Sequence, residues 1–322
     1  MTILKHICPP GSGKARKNIN SIPVFNLAIL SRGSALYSTQ SLFRAARLRN
    51  YNVRVIDHQL CHLLIDGDHP QVYYEGEKLV GVDAVIPRIG ASMTDYGAAV
   101  IRHFELMGVY TATRSEALLL ARDKLKCLQY LSANGVPVPR TFIAGSPAAV
   151  PYLVEKLGGA PVVIKMLEST HGVGVILAES LQTAVSLAEV FAKLNQPVIL
   201  QEYIAEAAGS DVRAFVVGRS VVASMIRVAA AGEFRSNLHR GAESFNVKLT
   251  HHETNLVLKA TRLLGLQIAG VDLLRSDRGP LVMEVNASPG LEGIENTTGV
   301  DIAGAIIDNT YAGASRLRGK KR

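Results

Sequence analysis

Asp272, Glu284 and Asn286 are the residues of this chain whose types and spacing most invite chemistry. They lie in VDLLRSDRGPLVMEVNASPG (271–290), where two apolar runs flank the polar connection SDRG. The runs VDLL and LVMEVN predict two strands joined by a turn. Glu284 and Asn286 are two apart on one strand, so both point to the same face. Asp272 on the preceding strand can complete an all-oxygen cluster. Such donors suit Mg²⁺, which keeps several waters and shares its shell with nucleotide phosphates. The plain alternative is a set of ordinary strand-end carboxylates, and three residues alone do not decide between them.

Other polar groups stand upstream. Lys165 ends the apolar run PVVIK (161–165), and ESTHGVG (168–174) follows. Gly172 and Gly174 would let backbone N–H groups approach phosphate oxygens with no Cβ in the way, and Lys165 would add a point charge. A glycine loop between two strands also reads as a simple hairpin. Gln201-Glu202-Tyr203-Ile204 closes another apolar run. Its backbone could meet an adenine edge, or it could be a domain linker. Arg235-Ser236-Asn237-Leu238-His239-Arg240-Gly241 is too polar for a core strand, and its arginine forks suit carboxylate or phosphate. Nothing in the spacing of His239 makes it a metal ligand or a general base. No Ser-His-Asp or Cys-His grouping is visible, so no covalent enzyme intermediate is expected.

These residues need elements to position them. VFNLAIL from Val24, NVRVI (52–56) and DAVIPRIG (83–90) predict buried strands, with helices over 38–50 and 94–107 between and after them. That alternation implies a mainly parallel sheet. QVYYEGEKLV (71–80) predicts a hairpin turning at Glu75-Gly76. A helix is expected over 115–134, stopped by Gly135-Val-Pro. Beyond it come TFIA (141–144), a helix over 147–157, PVVIK, VILA (175–178), a helix over 181–194 and PVILQEYI (197–204). The last third offers DVRAFVV and SVVASMIRV as antiparallel strands, a helix over 252–264, the two strands of the oxygen cluster and a helix near 300–309. The class is α+β with an α/β start. We divide the chain into an extension without stable elements (1–23), an α/β domain (24–115), two further units (116–205 and 206–312) and a basic tail (313–322).

Composition limits the choices. With 322 residues, 48% of them hydrophobic, the chain can bury a large core. No apolar run is long enough to span a membrane, and the N-terminus lacks a secretory apolar segment. Cys8, Cys61 and Cys127 form no metal spacing and no pair, as expected of a reducing cytoplasm. Nine basic residues at the two ends, with no acid among them, account for the net charge of +8. Such ends could touch nucleic acid or an acidic partner, or simply be solvated. Gly11-Ser-Gly-Lys14 is no phosphate loop, because Cys8 and Ala15 stand where Gly and Ser or Thr are required.

Taken together, LSRGSALYST, DAVIPRIGAS, ARDKLKCLQYLSANG, VVIKMLESTHGVGV, QEYIAEAAGSDVRAFVVG, EFRSNLHRGAE, AGVDLLRS and VMEVNASPGLEGIE resemble the ATP-grasp carboxylate–amine ligases. Within that superfamily they resemble the RimK family, whose members add glutamate to the sixth small-subunit ribosomal protein. The likeness runs over about residues 26–310. It implies an ATP-grasp fold behind an N-terminal α/β (pre-ATP-grasp) domain. It implies ATP and two Mg²⁺ or Mn²⁺ as cofactors. Lys124 and Lys165 would hold phosphates, Glu202 and Tyr203 would form the adenine hinge, and Asp211 would reach the ribose. Arg235, Ser236 and Asn237 would reach the phosphates and the developing acyl phosphate, with Arg235 as the catalytic side chain. Asp272, Glu284 and Asn286 would hold the metals, and Arg88 is a further substrate candidate. The expected partners are glutamate, a ribosomal-protein C-terminus, the ribosome or its RNA through the basic ends, and other copies of the chain in a homotetramer. Poly-α-glutamate is a second expected product. An ATP-grasp ligase for a small acid or cofactor, and a non-catalytic nucleotide-binding module, are the rival expectations. Ser169 and His171 depart from the family's usual Gly and Gln, and Ala242 from a second glycine after HRG. These departures bear on substrate preference rather than on the metal trio.

Overall fold

The computed structural model describes residues 24–166, 174–194, 197–230, 232–236 and 241–321. The N-terminal unit contains β1 (Asn26–Leu30), α1 (Tyr37–Leu48), β2 (Asn52–Ile56), β3 (Cys61–Leu64), β4 (Gln71–Tyr74), β5 (Glu77–Lys78), β6 (Ala84–Pro87), α2 (Thr94–Leu106) and β7 (Tyr110–Thr111). Its four-stranded sheet has the order β2-β1-β6-β7, and every pair is parallel. The inner strands β1 and β6 are almost continuously apolar and buried because helices cover a parallel sheet. Strands β3, β4 and β5 form a small antiparallel sheet. Glu75 and Gly76 turn β4 into β5 with φ of 53° and 80°, the left-handed pair that a tight hairpin requires.

The helix expected over 115–134 is two helices, α3 (Ser115–Arg122) and α4 (Lys124–Ala133). Asp123 sits between them in extended geometry and its side chain accepts the Lys126 N–H, so it caps α4. The corner places Arg122 and Lys124 on either side of a change in chain direction.

The central unit holds β8 (Thr141–Ala144), α5 (Val150–Leu157), β9 (Val162–Met166), β10 (Val175–Ala178), α6 (Leu181–Lys193) and β11 (Val198–Glu202). Its antiparallel sheet has the order β10-β9-β11-β8. Ile164, Leu200, Val150 and Phe191 give it a core of its own. The last unit adds β12 (Ser210–Val217), β13 (Ser220–Val228), β14 (Glu243–Asn246), α7 (His251–Leu263), β15 (Ile268–Ser276), β16 (Gly279–Asn286), α8 (Glu292–Thr298) and α9 (Ile302–Lys321). Five strands run β14-β13-β12-β15-β16. A capping box between Thr250 and Glu253 starts α7. Leu30, Ile101 and Phe104 share one core with Val216, Val271 and Val285, so the first and last units pack as one body.

Strands β3, β7 and β14 and helix α8 lie beyond the expected elements, and α9 is much longer than expected. Instead of a tail from residue 313, the helix continues to Lys321 and carries Arg316, Arg318 and Lys320. It lies against the N-terminal unit through the Arg49–Asp308 pair at 2.5 Å and the stacked rings of Tyr51 and Tyr311. Arg318 pairs with Asp83.

Candidate functional site

The last sheet carries charge across one face. Arg227 on β13 stands opposite Asp211 on β12, and Arg213, two residues on, stands opposite Asp272 on β15. Asp272 in turn stands opposite Glu284 on β16, and Gly270 opposite Asn286. The signs alternate from Arg227 to Asp272, and Glu284 adds a second carboxylate beside Asp272. Arg227 donates to both Asp211 oxygens (2.6 and 2.5 Å), and Arg213 does the same to Asp272 (2.7 and 2.6 Å). Arg227 also lies 3.1 Å from Asp272. Burial pushes the Asp211 carboxyl upward and Asp272 adds to that, against the pull of Arg227. Burial also works against Asp272, yet Arg213 and Arg227 hold it below the usual carboxylate range. Glu284 ends the row exposed to solvent.

A bulge makes that exposure possible. Leu273 pairs with Val282 and Asp272 with Glu284, so Met283 is an extra residue in β16. Val282 therefore faces the core, while Glu284 and Asn286 point away from it with Val285 buried between them. Cations gather round Glu284. Its charge acts on Lys165 from β9, on Lys124 at the start of α4 and on Arg122 at the end of α3. Lys165 Nζ donates to Gln201 Oε1 at 2.7 Å, and Gln201 Nε2 donates to Thr141 Oγ1 at 2.9 Å. Burial, reinforced by Lys124 and opposed by Glu284, lowers Lys165 to about 8. Burial also lowers Lys124 and Arg122, with Glu284 pulling the other way. Desolvated cations gathered round one carboxylate can receive an anion of high charge.

The remaining expected residues fall elsewhere. Glu202 ends β11 with its carboxylate already bonded by the Arg140 N–H (2.6 Å), Arg140 Nε (2.9 Å) and Arg278 Nη1 (3.1 Å). Its own N–H donates to the Arg140 carbonyl. Burial pushes Glu202 up, but the two arginines hold it below its ordinary value. Glu202 thus fastens the central sheet to the β15–β16 turn. Tyr203 follows it and borders a cavity of about 250 Å³ lined by Arg140, Pro161, Glu202 and Arg278. Asp211, expected at the ribose, is committed to Arg227 inside the sheet. Arg235 is bound to Glu233 through Nε and Nη2 (2.9 and 2.7 Å) and donates to the Val175 carbonyl at 3.2 Å. It lines a cavity of about 460 Å³ with Val175, Ile176, Leu177 and Phe234. Ser236 is buried. Ser169, His171, Gly172, Asn237, His239 and Arg240 lie outside the described residues.

Arg122 escaped the sequence reading although it stands in the same ARDK segment as Lys124. The Asp123 cap was the available signal, because a helix start at 124 turns the preceding arginine toward a different direction.

The oxygen donors fit a hard divalent cation. Glu284 is exposed with Asn286 beside it on the same face, and Asp272 is directly across the pair. The bonds to Arg213 and Arg227 occupy much of the Asp272 acceptor capacity, so its share of a metal shell is at most monodentate.

Comparison with known proteins gives the family. A RimK-like ATP-grasp domain matches residues 121–310 and a RimK PreATP-grasp domain matches residues 25–118. A probable alpha-L-glutamate ligase of Vibrio cholerae serotype O1 is 53% identical over 296 residues, covering 92% of this chain and 98% of that protein. Another, from Ectopseudomonas mendocina, is 52% identical over 298 residues, covering 91% and 99%. Among solved structures, the ATP-grasp ligase PsnB complexed with a minimal precursor superposes with a TM-score of 0.71 at 22% identity, covering 90% of this chain and 99% of that one. A D-alanine–D-alanine ligase from Bacillus anthracis complexed with ATP gives 0.65 at 15% identity, covering 93% and 99%. Those two show a shared fold. The chain belongs to the RimK family of ATP-grasp proteins and is an ATP-dependent ligase.

Proposed function

We propose that this chain is an α-L-glutamate ligase that joins glutamate to the C-terminal carboxylate of a ribosomal protein, the sixth of the small subunit. The observation that carries the reading is the convergence of Arg122, Lys124 and Lys165 on Glu284, with Asp272 directly opposite. The names of the half-identical relatives supply the amino acid.

The chemistry follows from the reactants. A carboxylate does not react with an amine at neutral pH, because its oxygen is a poor leaving group. Transfer of the γ-phosphoryl group of ATP to that oxygen gives an acyl phosphate and ADP. The α-amine of glutamate then attacks the acyl carbon, and inorganic phosphate leaves as the amide forms. Phosphoryl transfer needs positioning and charge neutralisation more than a nucleophilic side chain. Lys124 and Lys165 hold the phosphates, and the backbone after Glu202 receives the base at Tyr203. Arg235, Ser236 and Asn237 are the candidates for the transferred group, and Arg235 reaches it by exchanging its bonds to Glu233. Asp272, Glu284 and Asn286 would hold Mg²⁺ or Mn²⁺, which would supply charge neutralisation at the phosphates.

The test is mass analysis of a peptide ending in the ribosomal-protein C-terminus, incubated with the chain, ATP, Mg²⁺ and glutamate. A gain of one or more glutamyl residues that requires ATP is the expected result. An unmodified peptide alongside free glutamate polymers would move the acceptor from protein to glutamate itself. Neither product would refute the assignment.

A further inference from the structure

The start of β15, away from Asp272, gathers cations that the ligase reaction leaves unused. Gln267 directly precedes this strand. Its Oε1 accepts from Tyr110 Oη at 2.9 Å and from Asn309 Nδ2 at 3.2 Å, and its carbonyl accepts from the Gly218 N–H at 2.7 Å. These bonds bring together the start of β7, helix α9, the β12–β13 turn and the turn before β15. Gly313 lets α9 lie against the Tyr110 ring, because a Cβ there would stand 2.2 Å from Tyr110 Cζ. Asp272 lies further along β15. At the usual rise of a strand it is roughly 17 Å from Gln267.

Each of these stretches brings an exposed cation. Arg219 follows Gly218 in its turn, and Arg262 stands in the last turn of α7. Arg316 and Lys320 stand one turn apart on α9, and Arg114 precedes α3. A Cβ at Gly265 would stand 3.8 Å from Ala117 Cβ, so the end of α7 meets the first turn of α3. Burial raises the Tyr110 hydroxyl, and Arg316 is close enough to pull it back.

Acids are missing from this surface. Residues 106–115, 212–232, 254–271 and 309–322 contain no aspartate or glutamate. The bordering acids are engaged. Glu105 accepts from Thr111 and Ser115, and its pair with Arg114 is loose at 3.9 Å. Glu116 binds Arg102, Asp308 binds Arg49 and Asp83 binds Arg318. Helix dipoles account for Arg262 and Lys320, which end their helices, but not for the others. Arg114 stands at the N-cap of α3, where a cation opposes the dipole. The β12–β13 turn needs the left-handed Gly218 (φ 65°) and makes no demand for arginine beside it. Residues 107–115, 217–220, 262–268 and 312–320 expose no large apolar side chain. A protein partner would need such anchors, whereas nucleic-acid interfaces are polar and strongly basic.

We infer that Arg114, Arg219, Arg262, Arg316 and Lys320 form a docking surface for the phosphate backbone of RNA. The arginine forks take phosphate oxygens in pairs. RNA is chosen over DNA because the proposed acceptor is a ribosomal protein, so that choice rests on the ligase reading. The surface holds the RNA that carries the acceptor, while the acceptor's tail reaches the site at Glu284.

The test is fluorescence anisotropy of a labelled RNA duplex titrated with the full chain over a range of salt. The wild type should bind with an affinity that falls steeply as salt rises. Arg219→Gln and Arg316→Gln, both at exposed positions, should each lower the slope of log K against log salt by about 1. Together they should weaken binding about tenfold or more at ~50 mM salt. Lys193→Gln, exposed on α6 of the central unit, should change neither quantity. Turnover on a free acceptor peptide should be unchanged in all of these variants. No binding by the wild type, or the same slope in the wild type and the double variant, overturns the surface. Binding of a poly-glutamate probe that the same substitutions weaken, with RNA binding unaffected, gives the surface to an acidic chain and also overturns it. The expected RNA binding in a chain that never ligates leaves the surface standing and refutes the ligase reading alone.

Discussion

At the scale of single residues, Glu284 points away from the core because Met283 is an extra residue in its strand. Without that bulge, Glu284 would share a face with Val282 and turn inward. Alternation in the sequence gives Glu284 and Asn286 a common face, and this was legible. The commitment of Asp272 and Asp211 to arginines was not, because Arg213 and Arg227 meet them only through cross-strand register. That register carries a prediction. Arg227→Met leaves buried carboxylates uncompensated and should cost about 3–5 kcal/mol in urea unfolding. Adding Asp211→Asn should recover part of the loss, and a fully additive double variant would contradict the pairing. A second prediction concerns Lys165, lowered to about 8 by burial. A bound phosphate favours its charged form, so ADP binding must take up a proton wherever the free lysine is neutral. Measured by calorimetry in EDTA, ADP affinity should be level below about pH 7 and weaken by up to about tenfold per unit above about pH 8. Lys165→Arg should remove the dependence. An affinity that is flat across this range in the wild type would show that Lys165 does not face the phosphates.

At the scale of elements, apolar runs predicted most strands within a residue or two, because each is bounded by turn residues and fills a buried position. The break between α3 and α4 was hidden by helix formers on both sides, although Asp123 is a cap by type. Helix α9 runs past its expected end because its basic C-terminal turns look like a solvated tail in sequence, whereas Asp308, Tyr311 and Arg318 tie it to Arg49, Tyr51 and Asp83. The loop after β16 depends on Gly270. A Cβ there would stand 2.9 Å from Pro289 Cβ, closer than real contacts allow. Gly270→Ala should therefore shift the loop that joins Asn286 to Arg88, whose Nη2 donates to the Pro289 carbonyl at 2.7 Å. The expected effect is a rise in the KM of the acidic substrate larger than any change in ADP affinity. Kinetics identical to wild type would mean that the loop does not position substrate.

At the scale of the whole molecule, the first and last units share a core while the central sheet keeps its own. Glu202 and its arginines fasten the central sheet to the turn of the last one. The candidate site draws on distant parts of the chain: Arg122 and Lys124 before the central sheet, Lys165 within it and Glu284 after it. Such assembly across long sequence separations is why single motifs are ambiguous and only their order along the chain points to one site. The measurement that bears most directly on this arrangement is ADP release with ATP, Mg²⁺, glutamate and acceptor peptide, for the wild-type chain and for Glu284→Ala. The wild type should release ADP, and the variant should lose turnover by more than about a hundredfold while its thermal unfolding stays close to wild type. Full turnover in Glu284→Ala, or no ADP release by the wild type under any combination of substrates, would contradict a phosphoryl-transfer centre at Glu284.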